Sequence, residues 1–430
     1  MALFKFFSKL FLIISYSFII SLVGCSKKIE THFYEGEIKL DEFSELKGKK
    51  IYIDPGHGGT GKKDKFRISK QGEPEEAINL RVALILNDML KKAGAEPILS
   101  RNTDVDIDLD ERVKHIIEVE PELLISIHHN GSVRAADGVN YNTVFIHATK
   151  ETNPQSYDFA ELLRNEFANA TSLESDIVSD YAIFNESGMR ILRLTRNVCP
   201  GVLGEFGFFS DEDFSLKLSD VEFNSIEAEA YFKAICEYFQ RGIPTAELVF
   251  ERKSQKYHIK IQSGNNAKGI KPKSLFVTLD DVKLNCTKIS EDYYRIETGN
   301  EIFPGEHRFI IKFKNTNGQS SPMYYHVFHK TISKGDYERL VKAGTNLINS
   351  KNNVKKGTKM LLSALSMGTS DPNAKNLMLN IAEGFRLMGD LPAYEYYYQS
   401  ANSFYPNSNT NNTGFGFPIK YYGTKIKLKR

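Results

Sequence analysis

The chain has 430 residues, of which 41% are hydrophobic and 26% are charged, and its formal net charge at pH 7 is +2. This length and composition predict a folded chain of two or three domains. A net charge so close to zero creates no field strong enough to indicate a nucleic-acid-binding protein. The four cysteines form no Cys-x-x-Cys motif, so a metal site would have to use histidine and carboxylate side chains.

The amino-terminal stretch carries Lys5 and Lys9, then an apolar run from Leu10 to Val23 and a small residue, Gly24, before Cys25. The run is shorter than the about 20 apolar residues that a spanning helix needs. The pattern resembles a bacterial lipoprotein signal peptide, which implies export and lipid attachment at the cysteine. An uncleaved anchor helix is the alternative interpretation.

We therefore expect residues 1–25 to form a signal peptide that ends in the lipidated cysteine, and the polar residues 26–47 to form a linker. Ser26 follows the cysteine where an aspartate is associated with inner-membrane retention. The resemblance to other lipoproteins therefore favours the periplasmic face of the outer membrane.

Residues 51–59 begin as an apolar run and end in a histidine, His57, that is flanked by glycine and proline. This pattern predicts a buried strand that opens into a loop, where the glycines would let a metal and a substrate approach the backbone. A helix is then predicted from Glu75, with apolar residues at helical spacing as far as Gly94. The alternatives are a turn residue for His57 and a contact with the helix dipole for Glu75.

A second buried strand, predicted around Leu123–Gly131, also ends in histidine. Strand alternation puts His128 on one face with Ser126, and His129 on the opposite face. Consecutive strand residues do not easily reach one ion. We therefore expect His128 to face the site and His129 to be a wall or second-sphere residue.

Further strands and helices alternate up to a helix predicted at about 226–239, and Glu205 lies in the apolar run 199–208 as its lone acid. A buried carboxylate without a partner is costly, so Glu205 must be paired, protonated or next to a metal. Alternating strands and helices of this length predict an α/β domain, in which a mainly parallel sheet is covered by helices on both faces.

Four motifs carry these candidate residues. They are Asp-Pro-Gly-His-Gly-Gly around His57, Glu-Glu-Ala-Ile-Asn-Leu from Glu75, Ser-Ile-His-His-Asn around His128, and Val-Leu-Gly-Glu-Phe-Gly-Phe around Glu205. In this order they resemble the zinc-dependent N-acetylmuramoyl-L-alanine amidases, over about residues 48–243. The resemblance implies one zinc ion held by His57, Glu75 and His128, with Glu205 as the catalytic residue.

Two further positions match the same family and three depart from it. Arg101 and Arg112 sit where the family often has arginine, and we assign them structural roles in which they anchor loops. The chain departs from the family at Glu76, where a basic residue is frequent, at His129, which replaces a small residue, and at Gly204, which precedes the catalytic glutamate. These departures leave the substrate preference open.

Two imidazoles and one carboxylate suit a tetrahedral zinc that keeps one position for water. Glu205 would take the proton of that water and pass it to the departing amine, while zinc polarises the carbonyl. From the residues alone the argument reaches metal-assisted amide or ester hydrolysis. The family resemblance implies a narrower substrate, the amide between N-acetylmuramic acid and L-alanine in peptidoglycan.

Residues 244–331 show short β-rich runs separated by Asn, Asp and Gly turns, and they predict a small sandwich that resembles immunoglobulin-like modules. Residues 332–406 change to a helical period. The positions around Met378, Ala382 and Tyr398 resemble a tetratricopeptide repeat, and the helix pair before them is a poorer match. So short a repeat segment is expected to dock on another domain or on a protein partner. Residues 407–430 form a basic tail.

We therefore expect a lipid-anchored peptidoglycan amidase of the cell envelope. One rival hypothesis is a non-catalytic envelope scaffold with a vestigial amidase domain. Another is a zinc peptidase or deacetylase that acts on a different amide of the wall.

Overall fold

The computed structural model describes residues 40–59, 67–69, 71–132, 139–251, 254–298, 302, 305–330, 335–366 and 374–404. The predicted signal peptide with Cys25, the linker as far as residue 39 and the basic tail lie outside these residues. Within the described part of the chain, no helix has both the length and the apolar character needed to cross a membrane.

The first half of the chain folds around a six-stranded sheet with the strand order β2-β1-β3-β6-β4-β5. Neighbouring strands are parallel except that β4 runs antiparallel to β6. The predicted mainly parallel sheet is therefore confirmed. The strands are β1 (Lys50–Pro55), β2 (Glu96–Leu99), β3 (Leu123–Asn130), β4 (Asn142–Ile146), β5 (Ser175–Ser179) and β6 (Gly201–Phe208).

Helices cover both faces of this sheet, as predicted. On one face, α1, α3 and α7 enclose a large apolar core that includes Ile53, Ile125 and Val202. On the other face, α2 and α5 pack over Tyr52 and Leu124 in a smaller core. The helices are α1 (Glu75–Lys92), α2 (Leu109–Val119), α3 (Pro154–Thr171), α4 (Tyr181–Phe184), α5 (Arg190–Thr195), α6 (Glu212–Leu218) and α7 (Val221–Gln240), preceded by a 3₁₀ helix at Leu40–Leu46.

Seven antiparallel strands follow, with the order β13-β12-β9-β10-β11-β8-β7. The middle strand, β10, pairs with β9 through its first residues and with β11 through its last ones. The strands on the two sides of β10 pack face to face, because the ring of Tyr257 on β8 lies 5.0 Å from that of Phe309 on β12. The strands are β7 (Thr245–Glu251), β8 (Lys256–Gln262), β9 (Phe276–Leu279), β10 (Val282–Lys288), β11 (Tyr293–Glu297), β12 (Gly305–Lys312) and β13 (Tyr324–Lys330).

These contacts confirm the predicted sandwich. Relabelled A to G in chain order, its strands form one layer of A, B, E and D and a second layer of C, F and G, which is the arrangement of seven-stranded immunoglobulin-type domains. Three of its strands, β7, β10 and β13, were not predicted from the sequence. The domain boundaries themselves stay predictions.

Four helices complete the described chain: α8 (Asp336–Asn349), α9 (Val354–Ser366), α10 (Ala374–Met388) and α11 (Leu391–Phe404). Gly344 and Gly357 let α8 and α9 approach closely, because a β-carbon on Gly344 would lie 2.9 Å from the Gly357 carbonyl oxygen. The segment docks on the sandwich, where Lys359 and Lys355 of α9 each bind an aspartate at 2.5 Å.

Candidate active site

The loop after β1 carries His57 in a strained backbone conformation. His57 has φ +60°, in the left-handed region that residues with a β-carbon rarely occupy. Just before it, the Gly56 N–H donates to the carbonyl oxygen of Ile127 on β3 at 2.9 Å. A β-carbon on Gly56 would lie 2.2 Å from the His128 ring, so only glycine fits this position. The loop thereby brings His57 next to the end of β3.

Two buried arginines hold this loop. Arg101 donates to the carbonyl oxygens of Pro55 and Gly56 at 2.9 Å each. Arg112 donates to the carbonyl oxygens of Pro55 and His57, and it forms an ion pair with Asp54 at 2.7 Å. The arginines thus occupy the loop-anchoring positions that we assigned to them. They also stabilise the left-handed conformation of His57 from its carbonyl side.

Glu75 is the first residue of α1, and its side chain is buried between two histidines. One carboxylate oxygen, Oε2, lies 3.3 Å from His57 Nε2, and the other, Oε1, lies 3.2 Å from His128 Nδ1. Burial alone would raise the pKa of Glu75, but the two imidazoles hold that pKa well below its ordinary value. The carboxyl is therefore ionised and available as a ligand at neutral pH.

The three side chains fit a zinc ion. Each offers one ligand atom, and these atoms lie within 4.8 Å of one another. In a tetrahedral site with bonds of 2.0–2.1 Å, two ligand atoms lie about 3.3 Å apart. Each oxygen of Glu75 lies near this distance from the nitrogen of one histidine, 3.3 Å for His57 and 3.2 Å for His128. Two imidazole nitrogens and one carboxylate oxygen are also the donors that catalytic zinc commonly has.

Glu205 lies on β6 directly beside His128, because these two residues are register partners of the parallel β3–β6 pair. Its Oε2 atom is buried and makes no hydrogen bond within the described part of the chain. Burial, and next the negative charge of Glu75, raise the pKa of Glu205 well above its ordinary value, while His129 opposes the shift. Glu205 therefore binds a proton more readily than an exposed glutamate does.

His129 points away from the three candidate ligands, as strand alternation predicted. Its Nδ1 lies 2.7 Å from Asn79 Oδ1 and its Nε2 lies 2.9 Å from Glu227 Oε2. Asn79 in turn donates to Glu75 at 3.2 Å. The sequence interpretation found His129 but gave no role to Asn79, although Asn79 lies in the Glu-Glu-Ala-Ile-Asn-Leu motif. It also missed Glu227, which lies in no local motif.

Comparisons with known proteins show the family of this chain. The sequence profile of the N-acetylmuramoyl-L-alanine amidase family matches residues 51–237. The uncharacterized protein YqiI of Bacillus subtilis (strain 168) is 32% identical over 202 residues, which cover 46% of this chain and 87% of YqiI. The germination-specific N-acetylmuramoyl-L-alanine amidase of the same organism is 30% identical over 217 residues, which cover 46% of this chain and 84% of the relative.

Among solved structures, the catalytic domain of CwlV, an N-acetylmuramoyl-L-alanine amidase from Bacillus (Paenibacillus) polymyxa var. colistinus, is similar with 27% sequence identity and a TM-score of 0.38. That match covers 44% of this chain and 97% of the CwlV domain. The family profile matches the part of the chain that contains His57, Glu75, His128 and Glu205. The chain belongs to the N-acetylmuramoyl-L-alanine amidase family.

Proposed function

We propose that this protein hydrolyses the amide bond between N-acetylmuramic acid and the L-alanine of the peptidoglycan stem peptide. The observation that carries the proposal is the joint placement of His57, Glu75 and His128 around one point, with Glu205 beside them. Family membership supports the choice of amide. A vestigial scaffold would have no need to keep all four side chains together.

We further propose that His57, Glu75 and His128 hold one zinc ion, because their donor atoms and spacings fit it. When bound, zinc would supply Lewis-acid polarisation of a carbonyl and a water acidic enough to react near a pH of about 7. The loop arginines keep His57 in position for this role, since both donate to the backbone that carries it. Their contribution is positional.

Glu205 would act as general base and then as general acid. It would accept the proton of the attacking water and return that proton to the nitrogen of the departing L-alanine, so that the amine leaves in neutral form. The raised pKa of its carboxyl suits this sequence, because a group that readily takes up a proton is an effective acceptor. No other group of the chain is required for the proton transfer.

Product analysis on purified sacculi tests the reaction. We expect intact stem peptides that begin with L-alanine, together with glycan strands whose lactyl groups carry free carboxylic acids. A deacetylase would release acetate, and a peptidase would release shortened peptides. Either product in place of intact stems, or no product from zinc-loaded folded protein, would contradict the proposal.

We propose an extracytoplasmic location, at the periplasmic face of a membrane, with a lipid on Cys25 and the outer membrane favoured. The support is the signal-like pattern before the cysteine. Detergent-phase partitioning and the intact mass of the mature protein test this. The wild-type protein should partition with detergent and Cys25→Ala should not, and an unmodified wild-type cysteine in a membrane-free mature protein would contradict the anchor.

We propose that the helical segment is tetratricopeptide-like and that it holds a protein partner. Its last helix, α11, exposes Tyr396 and Tyr398, with 57% and 41% of their surface accessible. Tyr397 instead stacks on Phe385 within the segment, with ring centroids 5.4 Å apart. Photocrosslinking from position 396, with position 397 as the inward-facing control, should trap the partner from position 396 alone.

A further inference from the structure

A buried polar chain runs from α7 to the candidate zinc ligand Glu75. Glu227 of α7 contacts His129 Nε2 at 2.9 Å, and His129 Nδ1 contacts Asn79 Oδ1 at 2.7 Å. Asn79 Nδ2 then reaches Glu75 Oε1 at 3.2 Å and the Gly56 carbonyl oxygen at 3.3 Å. Glu227 and Asn79 are 0% exposed and His129 is 2% exposed. This row of hydrogen-bonded side chains is therefore isolated from water.

The chemistry of the neighbours determines how Asn79 is oriented. The Glu75 carboxylate and the Gly56 carbonyl both accept hydrogen bonds, so the amide nitrogen of Asn79 must face them. Its amide oxygen must then face His129, whose Nδ1 has to carry a hydrogen. Rotation of the Asn79 amide by 180° would place its oxygen against the Glu75 carboxylate, and His129 also opposes this rotation because its Nδ1–H donates to that oxygen.

Glu227 determines the state of His129 in the same way. The other ring nitrogen, Nε2, lies 2.9 Å from the Glu227 carboxylate, so Glu227 holds the imidazole with its Nδ1 toward the Asn79 oxygen. Without Glu227, the imidazole can take the other tautomer, which presents a lone pair to the Asn79 oxygen and repels it.

Glu75 Oε1 receives a second hydrogen bond from strand β3, because the backbone N–H of His129 lies 3.2 Å from it. The carboxylate is thus oriented by two donors, one of which, the Asn79 amide, is held in turn by the His129 side chain. Loss of the Asn79 donor would leave it free to rotate about its side-chain bonds, and a rotating ligand binds a metal more weakly.

We propose that Glu227 is a positioning residue for the zinc site, and that it acts through His129 and Asn79 to orient Glu75. The inference rests on the proposed zinc site. It assigns a role in the reaction to a residue on a helix that contributes no ligand. The partners of zinc ligands commonly change metal affinity by about 10- to 100-fold when they are replaced.

The test compares zinc dissociation constants, measured by chelator competition on folded metal-free proteins. Glu227→Leu interrupts the chain and should weaken zinc binding about 10- to 100-fold. Glu227→Gln should bind zinc nearly as the wild type does, because its amide can donate to Nε2 and keep Nδ1 protonated. Ile235 is fully buried on the same helix but takes no part in these hydrogen bonds. Ile235→Ala should therefore lower the melting temperature without this loss of zinc affinity.

Glu227→Leu leaves a buried histidine without its partner and can fail to fold. The double variant His129→Leu/Glu227→Leu removes both charged groups, a change that buried ion pairs often tolerate, and it should show the same loss of zinc affinity. Wild-type affinity in a folded Glu227→Leu or double variant would overturn the proposal. An equal loss in Ile235→Ala, or failure of the double variant to fold, would assign the pair to the core and overturn it as well.

The same measurements keep the two proposals separate. A wild-type protein that binds no zinc would contradict the proposed function. A wild-type protein that binds zinc but cleaves no sacculi would also contradict the proposed function, and the affinity series would still decide the role of Glu227.

Discussion

Lys314 of the sandwich places its ammonium nitrogen 2.7 Å from a carboxylate oxygen of Asp158, on helix α3 of the first domain. The second oxygen of Asp158 accepts the backbone N–H of Ser320 at 2.6 Å. Asp158 is 1% exposed, so this carboxylate is buried in the interface between the two domains. Both of its oxygens are satisfied by the sandwich, which makes the docking of the two domains specific.

Lys314→Ala should destabilise this interface, because it leaves a buried carboxylate with one donor. The lysine side chain is 40% exposed, so solvent reduces the loss, and we expect about 1–2 kcal/mol. Thermal unfolding would show a lower melting temperature at unchanged zinc affinity. Lys260→Ala, which changes an exposed lysine on β8, should have no effect. Equal melting temperatures for both variants would contradict the prediction.

A truncated protein that ends at Arg241 should keep zinc binding and should cleave soluble muropeptide. The sandwich docks near the amino end of α3, where Ser156 accepts the backbone N–H of Gly201 at the start of β6. Glu205 lies four residues further along that strand, toward its carboxyl end and away from the sandwich contact. In the truncated protein Asp158 becomes solvated. A folded, zinc-loaded truncated protein without activity would show that the later domains contribute to the site.

Glu205→Gln should retain zinc and lose most of its activity. Loss of a general base typically reduces the rate by about 10² to 10⁴, and here the same group would also serve as the acid. His128→Ala, in contrast, should lose zinc together with activity, because it removes one of three protein ligands. Metal content and muropeptide turnover are measured on the same preparations. Near-normal turnover of Glu205→Gln would refute its role, and full zinc occupancy of His128→Ala would refute the assignment of His128 as a ligand.

Asp280, in the turn between β9 and β10, connects the sandwich to the helical segment. It accepts from His307 of β12 at 2.6 Å and from Lys359 of α9 at 2.5 Å. Burial would raise the pKa of Asp280, but these two hydrogen bonds outweigh it and lower the pKa from its ordinary 3.8 to about 2. The ionised carboxylate therefore stabilises the folded state.

The stabilisation by Asp280 should disappear in acid. Because the folded-state pKa is lowered, the full effect, about 1 kcal/mol after screening by solvent of this partly exposed group, is present above a pH of about 4 and is lost as the pH falls toward 2. Asp280→Asn should accordingly lower the melting temperature at pH 6 and approach the wild type near pH 2. Asp292→Asn, an exposed turn residue, is the matched control. A constant difference across this range would exclude the linkage.

The sequence predicted most of the first domain because four of its six strands, β1, β3, β4 and β6, are almost fully buried. The more exposed strand β5 was not predicted. The runs that became β3 and β6 are nearly continuous apolar segments, and β-strands of this kind are distinct in a sequence. In the sandwich, β7 and β10 were not predicted because neither contains a fully buried residue, so neither has the long apolar run that identifies a buried strand such as β3.

The site residues differ in the same way, because some lie in a recognisable local pattern and others do not. His57, Glu75, His128 and Glu205 each lie in a local motif of glycines or apolar residues, and the motifs could be recognised one at a time. Glu227 stands among other glutamates on α7 and contacts a histidine 98 positions earlier. Nothing in its local sequence distinguishes it from its exposed neighbour Glu229, whose carboxylate pairs with a lysine one turn away. Only the folded arrangement separates the two.

At His57 the stability of the fold and the catalytic function favour different residues, because the backbone there is left-handed. A residue with a β-carbon loses about 1 kcal/mol in this conformation, and glycine would avoid that loss. Glycine would also remove the imidazole. A lineage selected for folding alone should therefore drift toward glycine at this position and become more stable as it loses the reaction. Retention of histidine here is a mark of selection for chemistry, readable from a single column of aligned sequences.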